Sequence, residues 1–299
     1  MSVPAVWPLA VHSAMLSNLA PADALALVSM QNYHGLFWQG DPDTIAALAH
    51  QRSIMGESAP VVTTVSFAPD DRNPVDPEDA AAAAETLGAT GVRICGAPIR
   101  GQTYAEAYDA TVRLCEAYSQ VAQRRGLRVL LHQRWGTLTT SASQLHRVLS
   151  NFDPLVVGCV YDAGSMTIEG YEEYRIGLEI LGNYVADVHI ANTRHFPSAT
   201  GTVWDWEWSP LSDGLLDLQR LFRALRRSGY QGWITLADRS PGQSAAALLD
   251  ADRHTLQQVI DDFEGVGSHN PLRPLDDHVD RADRSDRAPG APLEVGARR

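Results

Sequence analysis

Short apolar runs alternate with longer amphipathic stretches along most of this chain. The runs are PLAVHSAM (8–15), GLFWQ (35–39), APVVTTVSF (59–67), GVRICG (91–96), LRVLLHQ (127–133), VVGCVYDAG (156–164), VADVHIA (185–191) and GWITLAD (232–238). Each is too short for a stable helix and largely apolar, the pattern of strands buried on both faces. Between them, start and stop signals predict helices. Pro21 opens the first, while Asp41-Pro42 and Asp76-Pro77 set a capping residue before a proline for the second and third. The fourth runs from Thr103 to Arg125 and stops at Gly126. Thr140 or Ser141 caps the fifth, and Tyr171, Tyr174, Leu178 and Leu181 make one face of the sixth. Leu218, Leu221, Phe222 and Leu225 do the same for the seventh, which stops at Gly229; the last covers about Ser244 to Phe263.

Eight strand–helix units in one chain predict an α/β fold, a single closed (β/α)8 TIM barrel over residues 1–264. An open doubly wound sheet is the competing architecture. No glycine-rich phosphate fingerprint follows an early strand, which counts against that sheet and against a nicotinamide cofactor. From Gly265 the sequence turns polar, charged and proline-rich, so residues 265–299 are expected to form a flexible polar tail. No apolar run is long enough to span a membrane. The N-terminus lacks a basic segment ahead of an apolar one, so a secretory signal is not expected and the predicted location is cytoplasmic.

Composition narrows the chemistry. The net charge of −12 argues against a nucleic-acid surface. Cys95, Cys115 and Cys159 are odd in number and widely spaced, which fits buried thiols in a reducing compartment. The chain has no lysine; all 24 basic residues are arginine. Schiff-base enzymes, PLP enzymes included, are thereby excluded, and any anion clamp must be built from guanidinium groups. Richness in alanine and arginine suggests a bacterial source of high GC content.

In such barrels the chemistry sits at the C-terminal ends of the strands. The fifth run ends in His132-Gln133-Arg134, the sixth in Asp162, the seventh in His189 with Arg194 beyond, and the eighth in Asp238-Arg239. Alternation turns Gly158 and Val160 inward with Asp162, and Asp187 inward with His189. The stretches VVGCVYDAGS, VADVHIANTRH and GLLDLQRLFRALRRSGYQGWITLAD closely resemble the second half of the xylose-isomerase-like sugar phosphate isomerase/epimerase superfamily. The resemblance covers roughly residues 8 to 264 and is strongest from 127 onward.

That resemblance implies a divalent metal held by a glutamate, an aspartate, a histidine and a glutamate at the ends of strands five to eight. The two glutamates also commonly move the proton. By position Asp162 and His189 match, whereas His132 and Ala237 stand where the glutamates belong, and Ser165 replaces a further histidine. Two readings stand. In one, His132, Asp162 and His189 form a three-ligand site for manganese, iron or zinc. In the other, no metal is held: His132 is the acid or base, Asp162 orients it and His189 stabilises a developing enolate. His132 as a merely hydrogen-bonded pocket histidine is a further alternative.

Asp238 is a candidate replacement carboxylate reaching the rim, although alternation turns it from the barrel axis. His12 is either a pocket or a core residue, and His195 lies beyond the seventh run as a possible loop residue. Arg100, Arg134, Arg194 and Arg239 fall just past strand ends and together suggest an anionic substrate. Trp204, Trp206 and Trp208, in a long loop after the seventh run, either stack on a substrate or pack the loop. The expected function is proton transfer on a small oxygenated molecule: isomerisation, epimerisation, dehydration or cyclisation. The competing function is a non-catalytic ligand-binding or regulatory subunit. The family's frequent pairing makes a homodimer an option, while its abasic-site endonuclease arm needs a multi-metal cluster and basic groove that this chain lacks.

Overall fold

The computed structural model describes residues 7–67 and 75–266, with side chains to 262. The region from 267, within the expected tail, lies outside the described residues. In chain order the elements are β1 (Leu9–His12), α1 (Pro21–Met30), β2 (Gly35–Gln39), α2 (Pro42–Met55), β3 (Val61–Ser66), α3 (Pro77–Leu87), β4 (Gly91–Cys95), α4 (Tyr104–Arg125) and β5 (Arg128–His132). They continue with α5 (Ala142–Leu149), β6 (Val157–Asp162), α6 (Ala163–Ile168), α7 (Tyr174–Leu181), β7 (Val185–Ile190), β8 (Asn192–Pro197), β9 (Trp204–Ser209), α8 (Leu218–Arg227), β10 (Trp233–Leu236) and α9 (Ala245–Val266).

All eight apolar runs become strands of one closed parallel barrel, in the order β1-β10-β7-β6-β5-β4-β3-β2. The helices begin where the caps place them. Asp41 and Thr44 form a capping box on α2, and Thr103 and Glu106 one on α4, satisfying amide groups that have no partner within the helix. Gly126, at φ 66°, closes α4 in the left-handed conformation that glycine adopts without strain. Leu36, Val65, Leu131 and Leu236 are fully buried, as are Leu25, Leu48, Leu145 and Leu221 on the helices. Burial of such a side chain stabilises the fold by about 1.5–3 kcal/mol. Phe37, Leu130 and Val160 form a buried apolar cluster, with Ala186 packed against it.

Three local features depart from the sequence reading. The long loop after β7 contains an antiparallel hairpin, β8–β9, separate from the barrel sheet. A short helix, α6, starts directly at the end of β6, and Tyr171 precedes α7 instead of lying on it. Between β6 and β7 the register shifts, pairing Cys159 with Val185 but Val160 with Asp187. That shift brings Asp162 directly beside His189 at the catalytic end of the barrel.

Candidate active site

Strands β5, β6 and β7 deliver His132, Asp162 and His189, whose ligand-type atoms lie within 4.8 Å of one another. Asp162 is also the N-cap of α6: its Oδ1 accepts from the Ser165 amide at 2.8 Å and its Oδ2 from Ser165 Oγ at 2.9 Å. His132 Nε2 stands 2.8 Å from the same Oδ2. On its other side, His132 Nδ1 lies 3.1 Å from Arg93 Nη1.

Bonding polarity fixes the tautomer of His132. A guanidinium has only protons to give, so Nδ1 must accept; the single ring proton therefore sits on Nε2 and is donated to Asp162. Burial pushes the His132 pKa down to about 3, despite the pull of Asp162, and the Arg93 charge adds to the fall. Burial opposes ionisation of Asp162, but the hydrogen bonds from His132 and the Ser165 amide prevail and hold its carboxyl below the ordinary range. The pair is thus a neutral imidazole beside a carboxylate.

Arg93 itself is only 6% exposed inside the barrel. Its Nε donates to Ser66 Oγ at 2.8 Å, Nη2 to Ser66 Oγ and to Gln39 Oε1 at 3.2 Å, and Nη1 to Cys95 Sγ at 3.0 Å. Residues of β2, β3, β4 and β5 therefore hold this guanidinium from several sides.

His189 has different surroundings. Its buried Nε2 lies 3.5 Å from Asp187 Oδ2 and makes no hydrogen bond. Asp187 is held in turn by Thr235 Oγ1, which contacts its two oxygens at 2.9 and 3.0 Å. With Nε2 directed at Asp187, Nδ1 is the ring nitrogen left for the pocket that His189 lines. The ring packs edge-on against Phe37 at 4.7 Å and His132 at 5.2 Å. His12 joins this wall: its Nδ1 accepts from the Ala14 amide at 3.0 Å and its ring stacks on Phe37 at 4.8 Å. Burial, followed by the charges of His189 and the nearby arginines, drives the His12 pKa well below its usual value.

Arg134, Trp135, Ala191, Trp208, Ala237 and Arg239 complete the pocket around the cluster. Its volume is about 10 Å³, room for about one water. Trp135, Trp206 and Trp208 pack edge to face at 5.4 Å, and the Arg239 guanidinium lies 5.2 Å from the Trp208 ring centre. On the other side of Arg239 opens a cavity of about 990 Å³ between the segments after β1, β2 and β10.

Other sequence candidates fall in different places. Trp206 stands at the rim, while Trp204 is 70% exposed at the far end of the hairpin. Arg194 projects from the opposite hairpin face and pairs with Asp213 and Glu207 at 3.3 and 4.0 Å, and His195 stands across from Trp206. Arg100 is exposed on the segment after β4 and lines neither cavity. Asp238 is buried: its Oδ1 accepts from the Ser240 amide at 2.6 Å, and its carboxylate contacts Asp252 of α9. The sequence reading passed over Arg93 and Trp135. A single arginine inside the apolar strand GVRIC, in phase with Gly91 and Cys95, is the signal that marks Arg93 as inward-facing.

A parallel barrel with a histidine–aspartate–histidine cluster at its strand ends defines a class of protein, and comparison with known proteins specifies it. Residues 75–258 match the family described as xylose isomerase-like TIM barrel, more than half of the chain, and the protein belongs to that family. An inosose dehydratase of Lactiplantibacillus plantarum is 24% identical over 166 residues, 52% of this chain and 55% of the relative. The chain spans about half the length of the curated relatives it matches. Among solved structures, the IOLI protein with a binding zinc atom superposes with a TM-score of 0.71 at 17% identity, covering 86% of this chain and 99% of that one. The probable 3-DHS dehydratase AsbF of Bacillus anthracis gives 0.68 at 14% identity, over 83% and 98%. At such identities the structural likeness speaks for the fold. Among the described residues, no helix is long and apolar enough to cross a membrane.

Proposed function

We propose that this protein is a cytoplasmic lyase or isomerase that removes the proton beside the carbonyl of a small, anionic polyhydroxylated ketone. The observation that carries the reading is His189 lining a buried pocket on the catalytic face, with the Asp187 carboxylate 3.5 Å from its Nε2 and Thr235 bonded to that carboxylate. A carboxylate behind a histidine fixes its orientation and supports the imidazolium that forms when the ring accepts a proton. The relationship to a dehydratase of inososes, which are uncharged, supports the polyhydroxylated ketone; the anionic character rests on the pocket arginines Arg134 and Arg239.

The surroundings of the two histidines favour an exchange of the roles first expected from sequence. His132 has both nitrogens engaged, so it serves as a neutral, positioned donor, whereas His189 Nδ1 is available as the base. In dehydration, His189 takes the proton beside the carbonyl, and the C–H electron pair forms an enolate. Arg239 and Arg134 offset that negative charge. The C–O bond to the hydroxyl on the next carbon then breaks, and the proton held by His189 leaves with it as water. Asp162, already ionised, accepts a substrate hydroxyl. Epimerisation requires the same first step, with the proton returned to the opposite face.

Six-carbon substrates exceed the present pocket, so binding requires its walls, which include Trp208 and Arg239, to open. The test is turnover of a panel containing 3-DHS and other anionic polyhydroxylated ketones, with an inosose as the uncharged member. The expected result is product from at least one member, with kcat reduced by about 10²–10⁴-fold in His189→Gln. A folded wild-type protein inert toward the whole panel would contradict the proposal, as would an equally active variant.

A further inference from the structure

The His132–Asp162–His189 cluster has the number and spacing of donors that a divalent cation needs. The polarity around His132 opposes that use. A metal-bound imidazole uses the lone pair of one nitrogen and donates the proton of the other, normally to a carboxylate, carbonyl or water. His189 has a carboxylate placed to become such an acceptor, Asp187 Oδ2, 3.5 Å from Nε2. His132 has Arg93 instead, a donor without acceptor capacity, 3.1 Å from Nδ1.

Ligation through Nε2 would move the ring proton to Nδ1, against a guanidinium proton. The only other course is an imidazolate. Ligation through Nδ1 would require Arg93 to leave, yet that side chain is buried and bound to Ser66, Gln39 and Cys95. The charge around the cluster points the same way: Arg93, Arg134 and Arg239 outnumber the Asp162 and Asp187 carboxylates, and Ala237 brings no donor. We infer that Arg93 has converted this metal-type constellation into a metal-free site, in which the pocket's excess positive charge receives an anionic group of the substrate. The anionic-substrate part rests on the proposed function; the loss of metal binding does not.

The experiment uses the full-length untagged chain, equilibrated with zinc and then with manganese, and passed through a desalting column. Elemental mass spectrometry gives metal per chain, with the zinc-holding IOLI protein treated identically as a positive control. Less than a tenth of an equivalent of either metal is expected. In parallel, ¹⁵N NMR of the histidine side chains is expected to show His132 neutral with its proton on Nε2, assigned by loss of the signal in His132→Gln. Arg93→Met, if it folds, should bind zinc at least ten-fold more tightly than wild type by calorimetry.

About one equivalent in the wild type, lost in His189→Ala, would overturn the inference whether or not Arg93→Met folds. A His132 proton on Nδ1 would do the same. Metal content is measured without substrate, so inertness toward the ketone panel would count against the proposed function alone. Turnover that appears only after metal loading and is lost on chelation would count against this inference alone.

Discussion

Two histidines five ångströms apart carry opposite environments, and the difference lies in which neighbour faces the second ring nitrogen. Arg93 makes His132 a fixed donor to Asp162, while the Asp187 carboxylate stands beside Nε2 of His189. His189→Gln and His132→Gln should therefore behave differently in a turnover assay. The first should lose kcat by about 10²–10⁴-fold. The second keeps a side-chain amide able to donate to Asp162 and should retain activity within about ten-fold of wild type. Equal losses would return His132 to the role of base.

A second residue-scale prediction concerns Asp252, buried against Asp238. Burial, reinforced by the neighbouring Asp238 carboxylate, pushes the Asp252 pKa up to about 8 from an ordinary 3.8. Between those values the folded protein keeps a proton that the unfolded chain has released. This contribution to stability is therefore complete below about pH 4 and is lost as pH rises through 8, at up to about 1.4 kcal/mol per pH unit. Thermal melts at pH 5, 7 and 9 should show a falling Tm for wild type and a flatter profile for Asp252→Asn. The variant should be the more stable protein at pH 9; identical profiles would contradict a proton retained on Asp252.

At the scale of elements, the site depends on α6 and on the β8–β9 hairpin. Helix α6 brings Ser165 back onto Asp162 and packs closely on the end of β7. A methyl group at Gly164 would lie 2.8 Å from Ala191 Cβ and 3.1 Å from its carbonyl oxygen, where backbone cannot readily give way. Gly164→Ala should lower stability by about 1–3 kcal/mol in denaturant titration, with a loss of activity as Asp162 shifts. The hairpin places Trp206 and Trp208 toward the pocket and Asp205 and Glu207 on the other face. Trp206→Ala, which removes an aromatic neighbour from Trp135 and Trp208, should alter KM more than kcat in steady-state kinetics.

At the scale of the whole molecule, the barrel was legible because its signals are local and repeated. Each apolar run matches one strand within a few residues, and Asp41, Thr103 and Gly126 mark helix ends by simple hydrogen-bond chemistry. His132, Asp162 and His189 followed from the rule that chemistry gathers at the strand ends. What periodicity could not supply was partnership across the sheet. It could place Arg93 inside the barrel but could not say that its guanidinium meets His132 Nδ1. Nor could it separate Arg239, beside Trp208, from Arg194, turned to Glu207, because that depends on the face of a hairpin hidden in an apparent loop.

The central claim is that His189, backed by Asp187, removes a proton beside a carbonyl without a resident metal. Its most direct measurement is solvent deuterium incorporation into a polyhydroxylated ketone of the panel, followed by proton NMR with protein dialysed against chelator. The account predicts exchange at the carbon beside the carbonyl that survives chelation and disappears in His189→Gln. Exchange that chelation abolishes and added zinc or manganese restores would contradict it.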